Sequence, residues 1–394
     1  LHSFPTTLFR SNTTADNNVA IGKGSLGANT TADNNVAVGT SALGLNTTGA
    51  ENTAVGGAAL DANTTGCQNT AVGRTSMFSN TTGCQNVAMG RQSLYDNTTG
   101  DCNVALGYNS LLNNETADDN VAVGTHAMFA NTTGGQNTGI GKCALVTNTT
   151  ASNNVAVGEI ALRVNTTGGN NTAIGRGALA ANTTANDNTA IGQCASDSST
   201  TACRVVIIGQ GSATALTTGN ENVVVGYVGA PALTTGRRNT ILGVQGSNGL
   251  TTGCNNHTIG DNADHGKIFN ITSEDHRVII GNNATTNAYV KVAFTVTSDL
   301  RDKTNFGTVP HGLDFVNKLD PVSFQFKTSR EDDTPHGDVR YGFKAQDIMA
   351  LEGDNPVIID NEQPEKLKYK GEHLVPVLVN AIKELTKKIK DLED

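Results

Sequence analysis

The sequence is poor in aromatic and charged residues and contains no tryptophan. Aromatic residues make up 4% of the 394 positions, so we expect no large apolar core of the usual enzyme kind over most of the chain. Charged residues make up 16%, and the formal net charge is −9. An acidic surface repels phosphate backbones, so no nucleic-acid partner is expected. No run of 18 apolar residues occurs, and we therefore expect no membrane-spanning helix and no membrane partner.

Charge is unevenly distributed along the chain. Residues 298–394 hold 14 of the 27 Lys and Arg residues and 19 of the 36 Asp and Glu residues. The composition predicts an N-terminal remnant (1–11), a repeat shaft (12–264), a β-rich connector (265–297) and a globular C-terminal domain (298–394). The chain starts without Met or an apolar signal core, so we expect it to be a piece of a longer protein.

A glycine recurs every 17 residues over the first two thirds of the chain. It closes the motif Asn-(Thr/Val)-Ala-(Val/Ile)-Gly and keeps its phase from Gly22 to Gly260, through 15 repeats without an insertion. Gly281 follows at an interval of 21, where we expect the register to break. Constant phase is typical of stacked backbone coils, because one extra residue would displace every ladder bond beyond it. The period predicts a mainly β fold, a parallel β-solenoid of about 15 coils.

Alternation within each repeat indicates how the coil is filled. Val, Ile or Thr usually stands one and three residues before the Gly, and mostly Ala stands between them. This pattern predicts a short strand with β-branched residues on one face and a small residue on the other. Because the interior residues are small, we expect a thin core that favours packing against other chains.

A Leu or Met stands four residues after the Gly in the first ten repeats, and we expect it to fill the coil. In later repeats Ser196 or Ala213 takes its place, and a Leu appears three residues further on, as at Leu216. We interpret this shift as a change of cross-section within one solenoid.

Asparagine and cysteine also recur in register. An Asn ten residues before the Gly, from Asn12 to Asn182, predicts a ladder in which each amide bonds its equivalent in the next coil. Seven cysteines are present, without the Cys-x-x-Cys spacing of a zinc site. Cys67 and Cys84 occupy the same position in adjacent coils, at a separation of about 5 Å that a disulfide could span. No metal site and no cofactor is predicted.

The repeat resembles the head repeats of trimeric bacterial adhesins, whose Asn-Ser-Val-Ala-Ile-Gly coils form a left-handed parallel β-roll in a three-chain bundle. The resemblance covers residues 12 to about 260. Its period of 17 is longer than that of the adhesin coil, so the loop between strands must be longer. The resemblance implies a homotrimer and says little about a ligand.

The C-terminal segment contains four motifs, which are Thr297–Asn305, Leu319–Phe324, Tyr341–Asp347 and a closing helix. In order and spacing they resemble the peptidase S74 family, the intramolecular chaperone domain at the C-terminus of phage tail spikes and fibres. The resemblance covers about residues 297–394. Lys344 stands where the family usually has an aliphatic residue, and we expect any effect to be limited to local packing.

The resemblance implies self-cleavage once per chain, with no external substrate. A Ser–Lys dyad would act, with Ser298 as the nucleophile, Lys303 as the base and Thr297–Ser298 as the scissile bond. A lysine acts as a base only where burial lowers its pKa. Five residues along a helix or strand do not bring two side chains to one face. Either the chain bends between them, or the pair forms between protomers. The chaperone motif positions are Asp299, Arg301, Gly342, Phe343, Ala345 and Gln346.

The closing segment, about 372–393, has the apolar spacing of a coiled-coil helix. The apolar residues step by 4, 3, 4 and 3, and they are Leu378, Ile382, Leu385, Ile389 and Leu392. This spacing predicts an apolar seam for association between chains. Ile alternating with Leu favours two strands, whereas the family resemblance implies three, and we retain three.

These features predict a fibrous homotrimer, the tail fibre of a phage or virus, which is part of the virion and extracellular. The C-terminal chaperone would drive trimerisation and then cut before Ser298. Expected partners are further copies of the chain, a host cell-surface receptor or glycan, and other tail proteins bound through sequence that precedes residue 1. Three alternatives stay open. One is a bacterial trimeric adhesin-type fibre, which would need a signal peptide and a C-terminal membrane barrel. Another is a fibre whose chaperone is not cleaved. The third is an enzyme acting on host glycan, whose hydrolytic residues would have to lie in sequence that precedes residue 1.

Overall fold

The structure is a computed structural model. It describes residues 11–263, 271–282, 284–285, 289, 291, 298–327, 333–354, 356–362 and 364–393. The chain divides into two compact units, one with the repeats up to residue 282 and one with residues 283–394. Among the helices in these ranges, none is long and apolar enough to cross a bilayer.

The first unit is a parallel β-solenoid. Three-residue strands pair in sequence order and in register, so that Ala105 lies opposite Ala122. The predicted solenoid with 17-residue coils is therefore confirmed. The strands are β1 (Val19–Ile21), β2 (Val36–Val38), β3 (Thr53–Val55), β4 (Thr70–Val72), β5 (Val87–Met89), β6 (Val104–Leu106), β7 (Val121–Val123), β8 (Thr138–Ile140), β9 (Val155–Val157), β10 (Thr172–Ile174), β11 (Thr189–Ile191), β12 (Val206–Ile208), β13 (Val223–Val225), β14 (Thr240–Leu242), β15 (His257–Ile259) and β16 (Val278–Ile280).

The sheet continues across the 21-residue interval that follows Gly260. His257 pairs with Val278, and the Gly281 N–H donates to the Ile259 carbonyl at 2.8 Å. The change of interval at Gly281 is thus a break in the sequence period and not in the ladder, because β15 and β16 still pair. Strand β16 lies within the stretch 265–297 that the sequence analysis assigns to a connector.

The glycine that closes each coil is required by its conformation and by its neighbours. Its φ lies between 130° and 151° at all 15 positions. A Cβ at Gly90 would also collide with the carbonyl group of Gly107 in the next coil. Only glycine adopts this φ without strain and permits this approach, which explains why all 15 repeats keep it.

The centre of each strand faces the core. Ala105 is fully buried, whereas its neighbours Val104 and Leu106 are half-buried and point outward. The Leu and Met side chains that follow the closing glycine are fully buried in all ten coils that carry them, from Leu26 to Leu179. The prediction of a thin core with small strand-centre residues is confirmed for these coils.

The core changes composition from β12 onward. The Leu residues that appear at the shifted position are fully buried, as predicted, and they are Leu216, Leu233 and Leu250. A second change was not predicted from the sequence. Larger residues replace Ala at the strand centres and are also fully buried, and they are Ile207, Val224 and Ile241. These larger side chains fill the volume that the lost Leu or Met would leave empty.

Buried asparagines form the predicted ladder between coils. Asn46 Nδ2 donates to Asn29 Oδ1 at 3.0 Å and to the Gly49 carbonyl of its own coil at 2.9 Å. A second row lies just before the strands, where the Asn52 N–H donates to Asn35 Oδ1 at 3.0 Å. Most of these amides thus pair with one another and with the turns inside the buried core.

The second unit is a small α+β domain. A β-hairpin, two short strands and three helices surround one core, with 3₁₀ turns at Leu300–Asp302, Pro364–Lys366 and Gly371–His373. The elements are α1 (Leu313–Val316), β17 (Val322–Lys327), β18 (Pro335–Gly342), α2 (Ala345–Glu352), β19 (Ile359–Asp360), β20 (Lys368–Tyr369) and α3 (Leu374–Glu393).

Helix α3 is anchored to α1 by apolar packing and by polar contacts. The buried core consists of Phe315, Ile348, Ile358, Ile359, Leu374 and Val377. The Glu384 carboxylate accepts the Leu313 N–H at 2.8 Å, and Asn380 Nδ2 donates to the His311 carbonyl at 2.9 Å. One side of α3 therefore packs against its own chain.

Candidate functional site

The dyad lies around a capped 3₁₀ turn. Thr297, the predicted residue before the scissile bond, lies outside the described residues. Asp299 is the N-cap of the turn Leu300–Asp302, and its Oδ1 accepts the Arg301 N–H at 2.8 Å. The Lys303 N–H then donates to the Leu300 carbonyl at 3.2 Å. An Asp that bonds the backbone two residues ahead is a common device for a tight bend.

This bend brings the two predicted dyad residues together. Lys303 Nζ donates a hydrogen bond of 2.6 Å to Ser298 Oγ. The five-residue spacing is compatible with a bend within the chain or with a pair between protomers. The described geometry has the bend, and the contact forms within one chain. The catalytic roles of the two residues stay predictions.

Arg301 stabilises the capping carboxylate. Its Nη2 lies 2.6 Å from Asp299 Oδ2, and its Nε donates to Asp299 Oδ1 at 3.0 Å. These side-chain hydrogen bonds, together with that from the Arg301 N–H, lower the pKa of Asp299, and the same partner raises the pKa of Arg301. Asp299 therefore stays ionised at neutral pH and keeps the turn capped.

The dyad is open to solvent in the single chain. Ser298 and Lys303 are both exposed. The bond between them sets the position of the two side chains relative to each other. Leu300 and Phe306, which lie close in sequence, expose 71% and 68% of their surface. One chain alone thus leaves both the dyad and these two apolar side chains uncovered.

Three of the four remaining motif residues support the packing of the unit. A Cβ at Gly342 would lie 3.0 Å from a ring atom of Phe324, so the close approach of the ring favours glycine. The Phe343 ring meets the Tyr369 ring edge-on, with centroids 6.0 Å apart. Ala345 opens α2 against the core, and Gln346 is exposed.

The residue that departs from the family pattern lies at the surface. The Lys344 ammonium is 3.7 Å from the Asp347 carboxylate, and both side chains are more than half exposed. The substitution therefore places a charged side chain in water rather than in the core, and the packing of Ala345 and Phe343 is retained.

The predicted seam lies on the outward side of α3. Leu374, Val377 and Ala381 are buried on the inward side of the helix. The five seam residues are exposed, and they are Leu378, Ile382, Leu385, Ile389 and Leu392. The helix therefore has two apolar sides, of which its own chain covers one.

Residues 298–356 match the family model of peptidase S74, which is described as the chaperone of endosialidase. The match begins at Ser298 and includes the capped turn, the β17–β18 hairpin and α2. No curated protein and no solved structure matches the chain. The chain thus combines a β-solenoid with a C-terminal domain of the peptidase S74 type, as the four motifs indicated.

Proposed function

We propose that the chain is part of a phage or virus tail fibre, a homotrimeric rod whose C-terminal unit acts as an intramolecular chaperone and then cleaves itself off before Ser298. Attachment to a receptor or glycan on the host surface belongs to this proposal. The observation that carries it is a partly exposed face of uncharged, mostly apolar side chains along the solenoid, followed by a domain that matches a chaperone family.

The uncovered face is formed by the first and third residues of strands β1–β16, and we call it the strand face. These positions carry Val, Thr, Ile, Leu or Met, with the single exception of His257. Within the sixteen described strands, no outward position carries Lys, Arg, Asp or Glu. An uncharged β-branched surface of this length is suited to another protein surface rather than to water.

The strand face has the size of a protein interface. Sixteen strands spaced about 4.8 Å apart, each about 10 Å long, describe a strip of about 700 Å². A stable interface buries about 800 Å² per partner. A repeat surface fits another copy of itself, because only a copy repeats with the same 17-residue period. These points support self-association through this face.

Equal coils make the alignment of copies ambiguous, and a chaperone would resolve it. A slip by one coil replaces each contact with a nearly identical one, so the repeats alone specify register weakly. A clamp at one end sets the register once for all coils. The C-terminal unit offers the surface for this, because Val339 and Tyr341 of the hairpin expose 63% and 89%, and the α3 seam is open.

Assembly would also activate the dyad. Neighbouring copies that cover Leu300 and Phe306 would exclude water from Lys303 and favour its neutral amine. The amine would then take the Ser298 hydroxyl proton while Oγ attacks the Thr297 carbonyl carbon. The Ser298 nitrogen would leave as an amine, and water would hydrolyse the resulting ester. Cleavage would therefore follow assembly.

Dyad variants test the cleavage. Wild-type chain should yield two fragments that separate between Thr297 and Ser298. Ser298→Ala removes the nucleophile and Lys303→Ala the base, while Lys303→Arg keeps the charge but holds its proton. All three should remain full length on a denaturing gel and still assemble by native mass spectrometry. Cleavage of Lys303→Arg at the wild-type rate would contradict the role of Lys303 as base.

A second candidate is a fibre whose chaperone stays attached. The exposure of Ser298 and Lys303 in the single chain favours it, because a lysine acts as a base only where burial lowers its pKa. Wild-type chain that assembles into trimers and remains uncut would support this candidate over the first.

A further inference from the structure

Cys67 and Cys84 lie in adjacent coils with their sulfur atoms in contact. The two Sγ atoms are 2.9 Å apart, and both residues are half-buried. Neighbouring strands of a stack are spaced about 4.8 Å apart, within the range of about 4.4–6.8 Å between the Cα atoms of a disulfide. Bond formation needs a sub-ångström approach of the two sulfurs.

The backbone of the solenoid produces this contact. The position six residues before the closing glycine directs its side chain at the preceding coil and accepts a backbone N–H there. Asp101 Oδ1 accepts the Cys84 N–H at 2.6 Å, and Asn220 Oδ1 accepts the Cys203 N–H at 2.8 Å. In the same way, Cys84 Sγ lies 3.1 Å from the Cys67 nitrogen. The ladder therefore holds the two sulfurs against each other.

We propose that Cys67 and Cys84 form a disulfide that links the two coils once the folded chain meets an oxidant of the small-molecule disulfide class. One cysteine thiolate attacks the small disulfide and releases one small thiolate. The other thiolate attacks the mixed disulfide and releases the second. Two protein thiols and one small disulfide thus become one protein disulfide and two small thiols. This proposal is independent of the proposed fibre function.

The other cysteines supply an internal comparison. Cys203 and Cys254 occupy the same position of the repeat but are 51 residues apart (254 − 203), which is three coils. Cys143 and Cys194 share another position and are also three coils apart. Among the seven cysteines, all in described coils, Cys67 and Cys84 are the pair that the ladder brings together in adjacent coils.

The surroundings of Cys67 disfavour its thiolate at neutral pH. The hydrogen bond with Cys84, burial, and the charges of Cys84, Glu51 and Asp101 raise the pKa of Cys67 to about 11. The thiolate is the attacking species, so the rate of disulfide formation should rise with pH.

The test uses the folded full chain incubated with oxidised glutathione at pH 8.5. The chain is then unfolded in the presence of an alkylating agent and digested with trypsin. Arg74 lies between the two cysteines, so residues 24–74 and 75–91 form separate peptides. We expect these peptides to be joined and to separate on reduction, and five cysteines to be alkylated rather than seven.

Two variants sharpen the result. Cys67→Ser should lose the link and leave six alkylated cysteines. Asn220→Cys places a thiol one coil from Cys203 at the same ladder position, and it should create a second link. The proposal is overturned if the wild-type peptides stay separate after oxidation while Asn220→Cys forms its link. It is equally overturned if cysteines three coils apart become linked as often as Cys67 and Cys84.

Discussion

At the scale of single residues, the solenoid depends on positions whose residues contact the same position in the adjacent coil. The closing glycines and the buried asparagines recur because each contacts its own equivalent one coil away. The sequence revealed both rows through their constant period. It did not reveal the turn that joins Ser298 to Lys303, because the five-residue spacing is compatible with several bends. The available signal for this turn was Asp299, because an Asp often accepts the N–H of the residue two positions ahead. Here that residue is Arg301.

A test at this scale removes one member of the asparagine ladder. Asn97 Nδ2 donates to Asn80 Oδ1 at 2.8 Å and to the Gly100 carbonyl at 3.0 Å, and its Oδ1 accepts from Asn114 at 2.9 Å. Asn97→Ala leaves buried polar groups unpaired, so the free energy of unfolding should fall by about 1–3 kcal/mol. Thr99→Ala, at an exposed position of the same coil, should change it by less than about 0.5 kcal/mol. Urea unfolding compares the two, and equal effects would contradict the ladder's importance.

At the scale of the coil, the side chain at the strand centre packs against the buried Leu or Met that follows the closing glycine. The two side chains together fill one part of the core. Gly139 illustrates the contact, because a Cβ there would lie 2.8 Å from Met128 Cγ in the preceding coil. The move of the Leu by three residues was visible in the sequence. The matching change from Ala to Ile207, Val224 and Ile241 was not connected with it, because a contact between residues of different coils is not apparent from the pattern of one repeat.

A double-mutant cycle tests this shared volume. Leu94 and Ala105 occupy the same two positions of the repeat as Met128 and Gly139. Both Leu94 and Ala105 are fully buried. Ala105→Ile should overpack the coil and cost about 1–3 kcal/mol. Leu94→Ala should leave a cavity and cost about 2–5 kcal/mol. The double variant should cost clearly less than the sum in urea unfolding. Simple additivity would show that the two positions do not share a volume.

The two apolar sides of α3 give a prediction about the helix. Ile382 lies in the exposed seam, whereas Val377 is buried against α1. Ile382→Lys should abolish association between chains and leave the domain folded, because a lysine there is solvated in the single chain. Val377→Ala should lower thermal stability and spare association. Native mass spectrometry and circular dichroism melting distinguish the two variants. Intact oligomers from Ile382→Lys would show that the seam is not needed for association between chains.

At the scale of the whole molecule, the strand face and the C-terminal domain have complementary roles in the proposed assembly. The strand face would hold the copies together, and the C-terminal domain would set their register. The sequence predicted a thin core that favours other chains. The structure adds that the outward β-branched residues, rather than the inward alanines, form the surface available for association. A single repeat could not show this, because the alternation alone does not tell which side of the strand the rest of the coil covers.

A charge on the strand face tests the self-association surface. Val104 is half-buried and points outward, so a lysine there reaches water in the single chain. In an assembly it would bury an unpaired charge, which is costly. Val104→Lys should therefore yield monomers or short-lived oligomers, as measured by sedimentation. Thr99→Lys, outside the strand face, should leave the oligomer intact. Equal sedimentation of the two variants would argue against this face.

The most direct test of the central claim combines native and denaturing mass spectrometry on the wild-type chain. The account predicts a native particle with three copies of the solenoid. Under denaturing conditions it predicts one fragment that ends at residue 297 and a tail of 97 residues (394 − 297). A native mass equal to one intact chain of 40.8 kDa, with no cleavage after complete folding, would contradict both the association and the self-cleavage.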